Sequence, residues 1–361
     1  MTTADASDAP FLAAARGRPT THTPVWFMRQ AGRSLPEYRA VRGEGSILDA
    51  IKQPELSADI TMQPVRRYGV DAAVLYSDIV VPPHAVGFGV DVAPGTGPVA
   101  SEPLRSIADL KRLRPLEPGD VRYVTDTVEL VARELPPHVP LLAFAGAPYT
   151  VGSYLIEGGP SRTYRHTKAM MYTDELLWHR VMELLAESAI TFIDQQLRHG
   201  ARAFQLFDSW AGSLSVADYD RFVFPHSERV FAELADRHPA VVGIHFGIGC
   251  DHLLERMYAA GPGVIGLDWR TPIRSARSRL GADTVVQGNL DPALVLAGTA
   301  AAVAGARGVL ADNDGLPGHI FNLGHGVDKD CVPAVLQAVV DLVHEDTQSC
   351  APPMPTAWPW C

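Results

Sequence analysis

The stretch RVMELLAESAITFIDQQLRHGARAFQLFDS, residues 180–209, decides the fold. Its first twenty residues space their apolar side chains as an amphipathic helix does, and Gly200 follows as a natural stop. RAFQLF (202–207) then reads as a short, almost continuous apolar strand, and the polar pair Asp208-Ser209 comes at once after it. A helix, a stop, a strand covered on both faces and a polar strand end make one unit of a parallel α/β fold. The unit recurs along the chain. Strand-like runs lie at 72–77, 140–146, 240–246, 264–268, 284–287 and 319–323, with helical spacing at 217–237, 251–260, 291–307 and 332–345. Seven clear strands and a weaker eighth, expected within 90–100, predict a single-domain (β/α)8 barrel over 11–345. A doubly wound open sheet is the competitor. The barrel is favoured because each run ends in Gly, Asp, Ser, His or Asn, and barrel strand ends converge on one mouth.

Composition bounds the rest. The chain has 361 residues, 47% of them hydrophobic and 20% charged, enough apolar material for a large core. A net charge of −10 argues against general binding to nucleic acid or anionic membranes. No apolar run reaches the roughly 18 residues of a membrane span. Cys250, Cys331, Cys350 and Cys361 form no C-x-x-C pair, which fits a cytoplasmic protein with free thiols. Residues 1–10 lack the regions of a secretory signal, and 346–361 are Pro-rich; both read as disordered tails.

One segment breaks the acidic pattern. Residues 11–42 hold six arginines against the single acid Glu37, a local charge of +5. Arg29 and Arg33 flank an Ala-Gly step that lets the backbone approach a ligand closely, and guanidinium forks suit carboxylates or phosphates. A solvated basic loop is the plainer reading, opposed by the neighbouring Trp26-Phe27, which calls for packing. Asp78 ends the run VLYSD; the following IVVPPHAVG reads as a loop, which weakens a pure helix-capping role. Tyr154 follows the strand 140–146, and phenols in such places more often pack than bind. Ser209 lacks a nucleophile-elbow context and reads as a hydrogen-bonding hydroxyl. His325 sits between two glycines that leave it open to whatever fills the mouth. There is no Walker loop, no G-x-G-x-x-G after a strand and no H-E-x-x-H, so neither nucleotide nor metal is required.

Taken together, PVWFMRQAGR (24–33), LYSDI (75–79), GAPYTVGSYLIEGG (146–159), FDSWAG (207–212), GLDWR (266–270), QGNLDP (287–292) and FNLGHGV (321–327) resemble the uroporphyrinogen decarboxylase family, in order and over nearly the whole chain. The resemblance implies a distorted TIM-type barrel, usually a homodimer. It implies removal of CO2 from the four acetate side chains of uroporphyrinogen III to give coproporphyrinogen III, without metal or organic cofactor. It also implies Asp78 as the catalytic carboxylate under the macrocycle, and Arg29, Gln30, Ala31, Gly32, Arg33, Tyr154, Ser209 and His325 as substrate contacts. Two rivals remain. One is a zinc-dependent methyltransferase on the same barrel, disfavoured because the His-x-Cys pair it needs reads His245-Phe246-Gly247 here, with Cys250 three residues late. The other is a non-catalytic tetrapyrrole binder.

Overall fold

Parallel strands that run almost uninterrupted through apolar residues must be covered on both faces, and the computed structural model covers them. It describes residues 9–348 apart from Arg33, Glu44 and Pro94. The strands are β1 (Ala73–Val74), β2 (Val90–Ala93), β3 (Gly97–Ala100), β4 (Leu141–Gly146), β5 (Ala203–Asp208), β6 (Val242–Gly247), β7 (Val264–Gly266), β8 (Val286–Gln287) and β9 (His319–Ile320). Seven of them form one parallel sheet in the order β1-β4-β5-β6-β7-β8-β9, at the seven places where the apolar runs stand. The central strands are the longest, with Leu142–Gly146 beside Ala203–Phe207 and Ala203–Asp208 beside Val242–Gly247.

The eighth strand is not where the sequence pattern placed it. Residues 90–100 form an antiparallel hairpin, β2 with β3, outside the parallel sheet. The eighth position belongs to residues 24–28. Val25 makes a parallel bridge to Phe321, the Phe321 N–H donates to the Pro24 carbonyl at 2.8 Å, and the Val327 N–H donates to that of Met28 at 2.8 Å. On the other side the Asp71 N–H donates to the Val25 carbonyl at 2.8 Å, just ahead of β1. A few separate hydrogen bonds, not a regular ladder, close the ring and make the barrel a distorted one.

Side chains inside the ring compensate for that sparse ladder. Trp26 Nε1 donates to Gln287 Oε1 at 3.0 Å, and Gln287 Nε2 donates to Gln205 Oε1 at 2.8 Å. This amide chain links the closing segment through β8 to β5, and its members are almost fully buried. Each amide of this chain has its partners, with Gln205 Nε2 facing Met28 Sδ at 3.4 Å, as burial demands.

Outside the sheet, the helix Glu175–Arg198 starts at Asp174, whose side chain accepts from the Leu177 N–H, and packs Trp178, Met182, Phe192 and Ile193 inward. The segment 217–237 is two helices, Val216–Phe222 and Phe224–Arg237, with Pro225 in the first turn of the second, a position where its missing N–H costs nothing. The segment 291–307 is likewise split, by Gly298 with φ 101°. The first described helix begins at Pro10 and the last ends at Thr347. The expected tails otherwise fall at residues 1–8 and 349–361, outside the described residues.

Candidate active site at the barrel mouth

The mouth brings the Arg29 charge within electrostatic reach of Asp78, Tyr154 and His325. Arg29 follows the closing segment in a left-handed conformation, φ 61°, and its side chain is exposed. It runs across Gly326, where a Cβ would stand 2.6 Å from Arg29 Cδ. Gly324 has a separate reason to lack a side chain, because a Cβ there would lie 2.2 Å from the Trp269 backbone nitrogen. The two glycines beside His325 thus admit an arginine and a neighbouring backbone, a tighter requirement than leaving the imidazole open.

Asp78 is half-buried just past β1. A five-residue helix, Val81–Ala85, follows it where the sequence reads as a loop, and Asp78 leads into that helix. Its Oδ1 accepts from the Val80 N–H at 3.0 Å, and its carbonyl accepts from the Val81 N–H at 3.2 Å. The carboxylate thus braces the turn ahead of the helix without capping it, since the N-cap is Val80 and no side chain caps it. Burial pushes the Asp78 carboxyl above its ordinary value, and the Val80 N–H, the Arg29 charge and the Ile79 N–H offset part of the rise. Burial and then Arg29 push His325 down, keeping the imidazole neutral further into the acid range. Burial, reinforced by the Asp78 charge, pushes the Tyr154 phenol up to about 12.

The other expected contacts differ in what they offer. Gln30 is fully buried, and its amide is already engaged: Oε1 accepts from the Phe27 N–H at 2.9 Å and Nε2 donates to the Ala72 carbonyl at 3.0 Å. Its side chain ties the Arg29 loop to the approach of β1. Ala31 and Gly32 are half-buried in that loop. Arg33 lies outside the described residues. Ser209 is half-buried at the end of β5, in a turn held by its neighbours. Thr150 Oγ1 donates to Asp208 Oδ1 at 2.8 Å and accepts from the Trp210 N–H at 3.2 Å.

Two features of the mouth have no counterpart in the sequence reading. Trp210 lies against Tyr154 with ring centroids 3.8 Å apart and meets the edge of Tyr164 at 5.2 Å, so the phenol stands in an aromatic wall. Arg270 supplies a second cation: Nη1 donates to Asp268 Oδ2 at 2.7 Å, and the guanidinium lies 3.8 Å from the Trp269 ring centroid. The stacking of Arg270 on Trp269 within GLDWR arises from side-chain packing, which spacing alone does not reveal. Among the described residues, the mouth gathers no three side chains able to share a metal ion. His245 is fully buried, with Nδ1 3.1 Å from the Met257 carbonyl, and burial pushes the Cys250 thiol well up, away from thiolate.

A sequence profile of the family described as Uroporphyrinogen decarboxylase (URO-D) matches residues 6–346. The chain belongs to this family. The uroporphyrinogen decarboxylase of Salinispora tropica is 53% identical over 343 residues, covering 95% of this chain and 92% of that one. The protein of the same name from Rhodococcus opacus is 53% identical over 342 residues, covering 93% and 96%. Among solved structures, a methyltransferase from Methanosarcina mazei superposes with a TM-score of 0.74 at 17% identity, covering 93% of this chain and 98% of that one. At that identity the likeness concerns the barrel alone. The uroporphyrinogen decarboxylase family accounts for the whole described body, from the first helix to the last.

Proposed function

We propose that this chain is a carboxy-lyase that converts the four acetate side chains of uroporphyrinogen III to methyl groups, giving coproporphyrinogen III in haem biosynthesis, with no metal or organic cofactor. Membership of the decarboxylase family over residues 6–346 is the observation that carries this reading. The mouth supports it chemically. Protonating an electron-rich pyrrole creates a cationic electron sink, into which the electron pair of the breaking C–C bond can move as CO2 leaves. Asp78, fixed by the Val80 N–H, would hold its carboxylate against the pyrrole N–H groups and the developing positive charge. A charge held in place before the reaction needs no reorganisation during it. Arg29 would take substrate carboxylates, and Arg33 is assigned the same task. Gln30, Ala31 and Gly32 would bring backbone close to substrate, with Tyr154, Ser209 and His325 around its side chains. A substrate rich in carboxylates needs such local cations, because the protein's net charge of −10 repels it.

A homodimer and a cytoplasmic location belong to the same proposal. Among the described residues no helix is long and apolar enough to cross a membrane. The test is anaerobic incubation with uroporphyrinogen III and no added cofactor, the products being oxidised and separated by carboxyl count. Seven-, six-, five- and four-carboxyl porphyrins should appear in turn; a folded protein that yields none overturns the reading. Sedimentation of the purified protein reports the dimer.

A further inference from the structure

The base of the barrel, opposite the mouth, holds a second convergence of chemistry-bearing side chains. Asp71 lies just ahead of β1, His22 just ahead of the closing segment 24–28, and His344 in the last helix, Pro333–Thr347. These elements are far apart in sequence, yet the three side chains point at one centre. His22 Nε2 stands 2.8 Å from Asp71 Oδ1, and His344 Nε2 stands 2.8 Å from Asp71 Oδ2. The two imidazoles meet edge to face, with centroids 4.4 Å apart, and the three ligand atoms lie within 4.8 Å of one another.

We propose that His22, Asp71 and His344 form a binding site for a divalent cation of the zinc class, outside the catalytic mouth. Two imidazole nitrogens and one carboxylate make a donor set suited to zinc and its transition-metal neighbours, whereas calcium and magnesium favour sites built from oxygen. Each carboxylate oxygen already faces one Nε2, so a cation centred on the three replaces two N–H···O contacts with metal bonds through small side-chain movements. No redox step is involved. To ligate through Nε2 each ring must carry its remaining proton on Nδ1, and on His22 the Thr21 Oγ1 lies 3.1 Å from Nδ1, placed to accept it. A metal-bound histidine commonly has such a partner on its other nitrogen. The Asp71 carboxylate is oriented independently, since its Oδ2 also accepts from the Val25 N–H at 2.7 Å. Access is open on the histidine side: their side chains are 22% and 30% exposed against 6% for Asp71. That leaves room for entry and for a water as remaining ligand.

The location sets the consequence. The site joins the approach to the closing segment, the approach to β1 and the last helix at the seam where the ring closes. The Thr23 N–H already donates to Thr347 Oγ1 at 2.8 Å there. A bound cation would fasten the two ends of the fold and leave the mouth untouched; in barrels of this type the base serves stability and the mouth serves chemistry.

The untagged full-length protein, stripped with EDTA and dialysed, is titrated with cobalt(II) and followed by its visible d–d absorption, alongside thermal unfolding in zinc. We expect saturation at one equivalent, a nitrogen and oxygen ligand-field spectrum without thiolate charge transfer, and a higher Tm in zinc. His22→Gln and His344→Gln should each weaken cobalt binding by at least about a hundredfold, beyond the ten- to hundredfold typical of losing a residue that only supports a ligand. Both should lose the zinc-dependent rise in Tm, and their metal-free circular dichroism establishes that they fold. Absence of saturable binding, a thiolate spectrum, or wild-type affinity in both folded variants overturns the site and leaves the three residues as a hydrogen-bonded clamp.

Discussion

Replacing Gly326 with alanine adds one methyl group under Arg29 and little else. The added Cβ would lie 2.6 Å from Arg29 Cδ, 2.8 Å from Cγ and 3.2 Å from Nε, where carbon atoms ordinarily settle at about 3.5–4.0 Å. Gly326 is not among the glycines held at positive φ, so alanine suits its backbone, and the arginine above is exposed and free to swing aside. The stability cost should therefore stay near the ~0.5 kcal/mol of a surface change. The functional cost should be larger. A hydrogen bond to a charged group is worth about 1.5–3 kcal/mol, which at roughly 1.4 kcal/mol per decade predicts a ten- to hundredfold lower kcat/KM. The pH profile adds a second readout. The Arg29 charge holds down both the Asp78 carboxyl and the His325 imidazole; as it retreats, both rise. Asp78 then takes up its proton at higher pH, and the acid limb of kcat/KM moves upward. Anaerobic turnover of uroporphyrinogen III over a series of pH values measures both effects. Arg29→Ala supplies the control: in the double variant, G326A should add less than about 0.5 kcal/mol to the loss caused by R29A. Wild-type kcat/KM in G326A, or a full additive loss in the double variant, refutes the placement of Arg29 over this glycine.

Asp78→Asn keeps an oxygen for the Val80 N–H and removes the charge; turnover should fall about 10²–10³-fold while Tm at neutral pH rises. The native carboxyl titrates above its unfolded value, so Asp78 favours folding at acid pH and loses that contribution as pH rises through the folded pKa; a lower Tm in the variant at neutral pH would contradict this. Thr150→Val deprives Asp208 Oδ1 of its donor and the Trp210 N–H of its acceptor, and urea unfolding should show a loss of about 1–3 kcal/mol, with unchanged stability refuting the part given to Thr150 in holding the turn at Ser209. EDTA, applied well below Tm, should leave the initial rate of decarboxylation unchanged; a loss restored by zinc would place a metal in the chemistry.

Where the sequence was readable, burial on both faces was the reason. β4, β5 and β6 advertise themselves as apolar runs with polar residues at their ends, because helices cover one side and the barrel interior the other. The closing segment obeys the same rule, with VWFM at 25–28 followed by Arg29 and Gln30. Arginine density makes it read as a loop, while 90–100 reads as one strand and folds as the two strands of a hairpin, β2 and β3. Asp78 stood out as an acid at a strand end. The short helix after it did not, since Pro82 and Pro83 read as breakers although the first turn of a helix tolerates them. The clamp made by Gln30 was illegible for a different reason: its partner, the Ala72 carbonyl, lies on another element, and no local pattern encodes such a meeting. Arg270 depends in the same way on the Trp269 ring and the Asp268 carboxylate being assembled first.

Closure of the ring through Val25 and Phe321 also fixes when the protein becomes competent during its synthesis. Of the described strands the closing segment is synthesised first; one edge meets the approach to β1 early, but the other finds Phe321 only once β9 is made, so this strand pairing carries the greatest sequence separation and loop-closure cost in the sheet. The seven-stranded sheet can grow as the chain lengthens, each strand meeting a neighbour already made, while the apolar face of residues 25–28 waits uncovered. Arg29 rides on that waiting segment. Chains stalled before Phe321 would hold most of their sheet without an assembled mouth, and would expose Trp26 and Phe27 to aggregation or to chaperones.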